Sequence, residues 1–229
     1  LNGGNSWNYG IQGKLGTIDM KNNAGTYYMI YATSLDSGQY ANVSFGHRAG
    51  NDQDGSYNTC IGCKAGEDLV SGGDHNVLLG FESGRNITTG DGNVAIGSNA
   101  AQARTTGSNA IAIGRDALRN EDTAADGVIA IGYHSIYTLN ASFGYNVADG
   151  YQALYTMTDT TENVAVGHEA GRALTTSGNV AIGAKTCSDT SSSSTVAIGQ
   201  DCHRAHGGSA NVAVGHSALK TAGAGANNT

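Results

Sequence analysis

Proline is absent from the 229 residues of this chain, and charged side chains make up only 14%, about half the share in an average soluble domain. The β-branched Val and Ile together outnumber Leu by about two to one, which favours strand over helix. No apolar run approaches the ~18 residues of a membrane-spanning helix, and no signal peptide opens the chain, so membrane insertion is not expected. Twelve scattered Lys and Arg against a net charge of −7 argue against nucleic acid, which is held by clustered cations. Four cysteines are too few for a disulfide scaffold. The opening Leu1-Asn-Gly-Gly4 and the closing Asn227-Asn-Thr229 read as a piece of something longer.

Glycine, by contrast, occurs 35 times, and much of it is periodic. A short apolar phrase ends in Gly at positions 46, 62, 80, 97, 114, 132, 150, 167, 183, 199 and 215, with 16–18 residues between successive copies. Repeats of this kind signal a stacked architecture, because one unit cannot bury its own apolar face. Asn228-Thr229 looks like the start of a twelfth copy.

Three columns precede each glycine. The residues one and three places before it are almost always branched or bulky, as in Val94 and Ile96, and residues two apart share a strand face. The residue between them is Ala in eight copies and points the other way. An exposed column would be polar and varied, so this second face is expected to be covered as well. Asn precedes the triplet in eight copies. Stacked Asn side chains form ladders and Asn also favours turns, and the column fits either role. A further turn glycine recurs at Gly55, Gly73, Gly90, Gly107 and Gly208. One copy therefore reads strand, turn, less regular strand, turn. Eleven copies predict an all-β parallel β-solenoid, a rod roughly 50 Å long at ~4.8 Å per coil.

Phrases such as Asn163-Val-Ala-Val-Gly-His-Glu-Ala170 and Asn179-Val-Ala-Ile-Gly183 resemble the YadA-like head repeat of trimeric autotransporter adhesins and bacteriophage tail fibres. The resemblance covers residues 42–229. It implies a left-handed parallel β-roll, three of which pack about a threefold axis. It further implies attachment to a host cell surface, through a glycan or an outer-membrane protein, from a virion tail fibre joined to neighbouring fibre domains. The head of a bacterial adhesin, on the cell surface, is the alternative; the 16–18-residue spacing and the Ala-Gly or Ala-Leu that follows the phrase look more like the fibre variant. The small column, Ala95, Ala112, Ala130, Ala165, Ala181, Ala197 and Ala213, is then expected to face outward and pack the homotrimer. An ice-binding solenoid is a third reading, but its Thr-x-Thr grid is incomplete here.

Residues 1–41 fall outside the repeat and are rich in aromatics, including Trp7, Tyr9, Tyr27, Tyr28, Tyr31 and Tyr40. A β-rich lead-in that caps the roll or joins it to a shaft is expected, since a solenoid end exposes a strand edge. An aromatic surface that stacks on sugar is the other use of such residues.

Little else carries chemistry. Cys60-Ile-Gly-Cys63 has half-site spacing but no second pair for zinc. Cys202-His203 and His206 lack a fourth ligand, although Cys187 lies close to one coil away and within reach of Cys202 for a disulfide. No Ser-His-Asp set and no preferred carboxylate pair stands out, so no enzyme activity, metal or cofactor is expected. Asp149 breaks the branched column, which is expected to be buried, so a local distortion between 133 and 150 is expected there, with Phe143 filling space or an ion bound. The turn pairs after the glycine supply the candidate receptor contacts: His47, Arg48, Arg115, Tyr133, His134, Tyr151 and His168.

Overall fold

The computed structural model describes residues 8–12, 15–21, 27–32, 42–51, 55–70, 72–120, 125–139, 144–157, 160–188, 193–204, 208–220 and 225–228. They contain strands and turns and no helix. β1 (Asn8–Gln12), β2 (Leu15–Lys21) and β3 (Tyr27–Ala32) form an antiparallel meander. β3 then pairs antiparallel with β4 (Val43–Phe45), so the edge of the first coil strand is occupied. Trp7, Tyr40 and Phe143 lie outside the described residues.

From β4 onward every strand of the main sheet is parallel. β5 (Thr59–Ile61), β6 (Val77–Leu79), β7 (Val94–Ile96), β8 (Ile111–Ile113) and β9 (Ile129–Ile131) follow in chain order. The short β10 (Thr138–Leu139) and β12 (Thr156–Met157) pair with each other on another side of the coil. β11 (Val147–Asp149), β13 (Val164–Val166), β14 (Val180–Ile182), β15 (Val196–Ile198) and β16 (Val212–Val214) complete the row. This is a parallel β-solenoid with one coil per repeat.

The reference glycine explains the register. All eleven have φ between 119 and 146°, which side chains rarely adopt. In all but Gly215, a Cβ would lie within 2.8 Å of the carbonyl of the next coil's glycine. Three further corners per coil take left-handed φ. The first falls two residues after the glycine, on Arg48, Lys64, Glu82 and their equivalents, and its N–H bonds to the preceding coil, as in Lys64 to the His47 carbonyl at 2.8 Å. Ordinary residues accept this strained geometry because inter-coil hydrogen bonds hold them in it.

The burial of the strands reverses the expected faces. The middle residue points into the coil's own interior: Ala95, Ala112, Ala130, Ala165, Ala181 and Ala197 are fully buried within the single chain, and Ala213 is buried too. They do not face outward to pack a neighbouring chain. The branched columns face out, with Val43 at 47% and Ile182 at 38% exposure. A coil only a few residues across has no room for two layers of large groups, so the inner strand position is small and Leu69, Ile87, Leu118, Leu154, Met157 and Leu174 fill the rest. Asp149 is therefore exposed rather than buried, and the register passes through it unshifted, opposite Ile131 and Val166. The expected distortion of the sheet there is absent from the described strands.

The Asn column combines both expected roles. The Asn42 side chain donates to the Gly55 carbonyl at 2.7 Å, and its Oδ1 accepts from the Asn58 N–H, also at 2.7 Å. The pattern repeats through Asn76 and Asn93 and resumes from Asn146 to Asn163 and Asn179. Asn228 continues it from Asn211, at 2.8 Å. Ala110 interrupts the column, and the carbonyl that an Asn there would serve, Ala125, is met instead by the guanidinium of Arg104. Arg104 is completely buried, in a position that Leu69 and Ile87 fill in earlier coils, and its Nε also donates to Gly107 at 3.0 Å.

Arg104→Met should therefore destabilise the rod by about 2 kcal/mol, the cost of stranding a buried acceptor. Adding Ala110→Asn should recover a large part of that loss in the same thermal melts, whereas Ala110→Asn alone should not stabilise the parent by as much.

Candidate functional site

The turn following each strand is where the side chains vary, and the coils from Gly114 to Gly167 make it aromatic. Arg115, Tyr133, Tyr151 and His168 each stand one residue after the reference glycine, so coil stacking places them in one column. Tyr133 and Tyr151 lie 5.6 Å apart between ring centroids, and Tyr151 and His168 stack at 5.0 Å with only 6° between planes. The Arg115 guanidinium sits 4.4 Å from the Tyr133 ring centre, within cation–π range.

A second column, missed in the sequence, runs beside the first. Tyr137 and Tyr155, five residues after their glycines, stack at 5.3 Å with planes 2° apart. Arg172 lies over Tyr155 at 5.5 Å. The clue was available as the phrases Tyr133-His-Ser-Ile-Tyr137 and Tyr151-Gln-Ala-Leu-Tyr155, which repeat the spacing. His134 links the columns, with its ring 3.7 Å from Tyr133 and 4.4 Å from Tyr137.

Of the expected contact residues, five thus come together: Arg115, Tyr133, His134, Tyr151 and His168. His47 and Arg48 do not join them, since they sit on the first coil. Arg48 is engaged there by the buried Glu67 at 2.6 Å, which Arg85 also holds at 2.8 Å, and Cys63 Sγ lies 3.9 Å from His47.

Asp116 anchors the cationic side of the aromatic group. It is largely buried and faces Arg119 at 3.1 Å, His134 Nε2 at 3.5 Å and Arg115 at 3.7 Å. Burial nonetheless holds the His134 pKa below the ordinary 6.5; Asp116 opposes that shift, and Arg115 and Arg119 reinforce it.

The thiols offer no shared ligand set. Cys60 points into the core and Cys63 lies in the turn outside it. Cys187 and Cys202 are free and buried on adjacent coils, and burial together with Cys202 pushes the Cys187 thiol up to about 12. His206 is outside the described residues. Among the described residues no three His, Cys, Asp or Glu side chains converge as a metal site. Comparison with protein-family models, with curated proteins and with solved structures finds no match to this chain.

His134 supplies a pH dependence of definite sign. Its folded pKa is lowered, so on acidification the unfolded chain takes the proton first. Stability from this residue is then complete above pH 6.5 and declines as the pH falls below it. Thermal melts between pH 8 and 5 should show that decline, and His134→Gln should flatten it.

Proposed function

We propose that this chain is a segment of a trimeric attachment fibre, a rod that presents lateral surface to a host cell. The observation that carries this reading is the outward face of the coil sheet. Across eleven stacked strands it is Val, Ile, Leu or Phe at every position except Thr59 and Asp149, and much of it lies open in the single chain. A monomer rarely exposes an apolar patch longer than a few hundred Å², so such a face calls for a partner. A second and third copy supply an identical apolar strip at the same register, which closed threefold symmetry allows. The similarity to the YadA-like head repeat favours three copies over two, and the 16–18-residue spacing favours a bacteriophage tail fibre over an autotransporter head. Attachment would work by avidity: three chains per fibre, and several fibres per particle, multiply weak contacts.

The reversed faces move the test of assembly to the branched column. Ile182→Arg should leave the coil folded and block trimer formation, because three guanidiniums would meet in an apolar contact. Asp149→Ile should tighten the trimer by removing three carboxylates from it. Ala181→Arg should instead disrupt the coil itself. Light scattering on the parent should give three times the chain mass of 23.2 kDa; a folded 23.2 kDa particle would refute the trimer.

A further inference from the structure

The paired columns on the coils from Gly114 to Gly167 form a tile that the fold does not require. Tyr133 and Tyr151 make one column, Tyr137 and Tyr155 the other, and cationic or imidazole groups close both ends. Arg115 stands before Tyr133 and His168 after Tyr151, while Arg119 and Arg172 occupy the same places in the second column. Elsewhere along the rod the two positions hold Cys63 and Glu67, Ser98 and Gln102, or Ala184 and Ser188, and the coils stack equally well. The turn geometry therefore does not select tyrosine.

We propose that this tile binds an acidic saccharide, a chain of pyranose rings bearing carboxylates, laid along the rod axis. The inference rests on the attachment reading above and names the receptor chemistry for it. The tyrosine rings stack on one another along the axis, so each turns its edge and hydroxyl outward, and hydroxyls carried on rings 5.3–5.6 Å apart suit hydrogen bonds to the hydroxyl groups of consecutive pyranose units. Tyr151 is 42% exposed, and among the described residues none of the four hydroxyls has a protein hydrogen-bond partner. The end groups supply the charge selection. Arg172 makes no ion pair with a described carboxylate, and Arg115 remains 63% exposed with Asp116 no nearer than 3.7 Å. Both guanidiniums already lie against tyrosine rings, so a carboxylate meeting them gains a planar, pre-oriented donor fork. Glu169, between the columns, is the one described carboxylate on the His168 and Arg172 row, and it disfavours a ligand that crosses the rod there. Nucleic acid is disfavoured because the tyrosine faces that its bases would stack on are already covered by neighbouring rings and guanidiniums.

Calorimetric titration of the whole chain with two hexamers, oligogalacturonate and α2,8-oligosialate, tests this and separates uronic from sialic acid. The parent should bind at least one of them. The carboxyl-reduced form of the bound hexamer should bind about tenfold more weakly or less, as expected when a charge-assisted hydrogen bond is lost. Tyr151→Ala and Arg172→Gln should each weaken binding by a similar factor with unchanged melting. The proposal is overturned if neither hexamer binds at millimolar concentration, or if the reduced hexamer binds equally well. It is also overturned if both variants bind like the parent, or if a single-stranded oligonucleotide binds more tightly than either hexamer. Cell attachment that survives Tyr151→Ala would sink the tile and leave the attachment reading standing, whereas hexamer binding by a chain that never adheres to cells would do the reverse.

Discussion

Everything in this rod depends on one close approach, the passage of each reference glycine over the carbonyl of the next. That contact leaves no room for a Cβ and demands a φ of 119–146°. It therefore fixes one glycine per coil and pins the in-register pairing of the strands before it. Parallel pairing in turn stacks equivalent residues, and the columns follow. The Asn column becomes a hydrogen-bonded ladder, and the turn columns become stripes along the outside.

The interior answers to the same narrowness by trading volume between neighbouring positions. Leu78 is the large inner strand residue, and the corner six residues on is Gly84, where a Cβ would touch Leu78 and Ile87 at 3 Å or less. In the coils of Gly114, Gly132 and Gly150 the inner residue is Ala112 with Leu118 at the corner, then Ala130 with Ile136 and Ala148 with Leu154, while the coil of Gly97 between has Ala at both places, Ala95 and Ala101. Arg104 belongs to the same economy of space, since it fills a core position and serves the carbonyl left bare by Ala110. The stripes outside are free to differ because the backbone is already satisfied. On the first coils the turn closes in an ion-pair ladder through Arg48, Glu67, Arg85, Glu82 and Lys64, and farther along it closes in stacked tyrosine.

The coil period, the strand positions and the parallel sheet were legible in the sequence because glycine and asparagine recur with a mechanism attached. Which face of the strand lies inside was not. Alternation separates two faces but does not label them, and the globular rule that large branched groups go inward fails where the interior is only a few ångströms wide. Asp149 was misplaced for that reason: its column looked like core and is the open face. Half of the tyrosine tile was readable from the residue after each glycine. Tyr137 and Tyr155 were not, because the position five residues after the glycine changes type from coil to coil and carries no pattern that marks it as a column. The substitution of Arg104 for a missing Asn left no trace in the sequence, because the two lie in different columns and meet only across a corner.

The central claim is that Ala points into the coil while Val and Ile point out, where the proposed assembly would cover them with other copies of the chain. Maleimide labelling of Ala181→Cys and of Ile182→Cys, each in a background with Cys60, Cys187 and Cys202 replaced by Ala and Cys63 by Ser, tests it across a dilution series. The account predicts that a cysteine at 182 is protected in concentrated solution and labels rapidly on dilution, while one at 181 labels only on unfolding. Equal, rapid labelling at 182 at every concentration, or labelling at 181 in the folded chain, would contradict it.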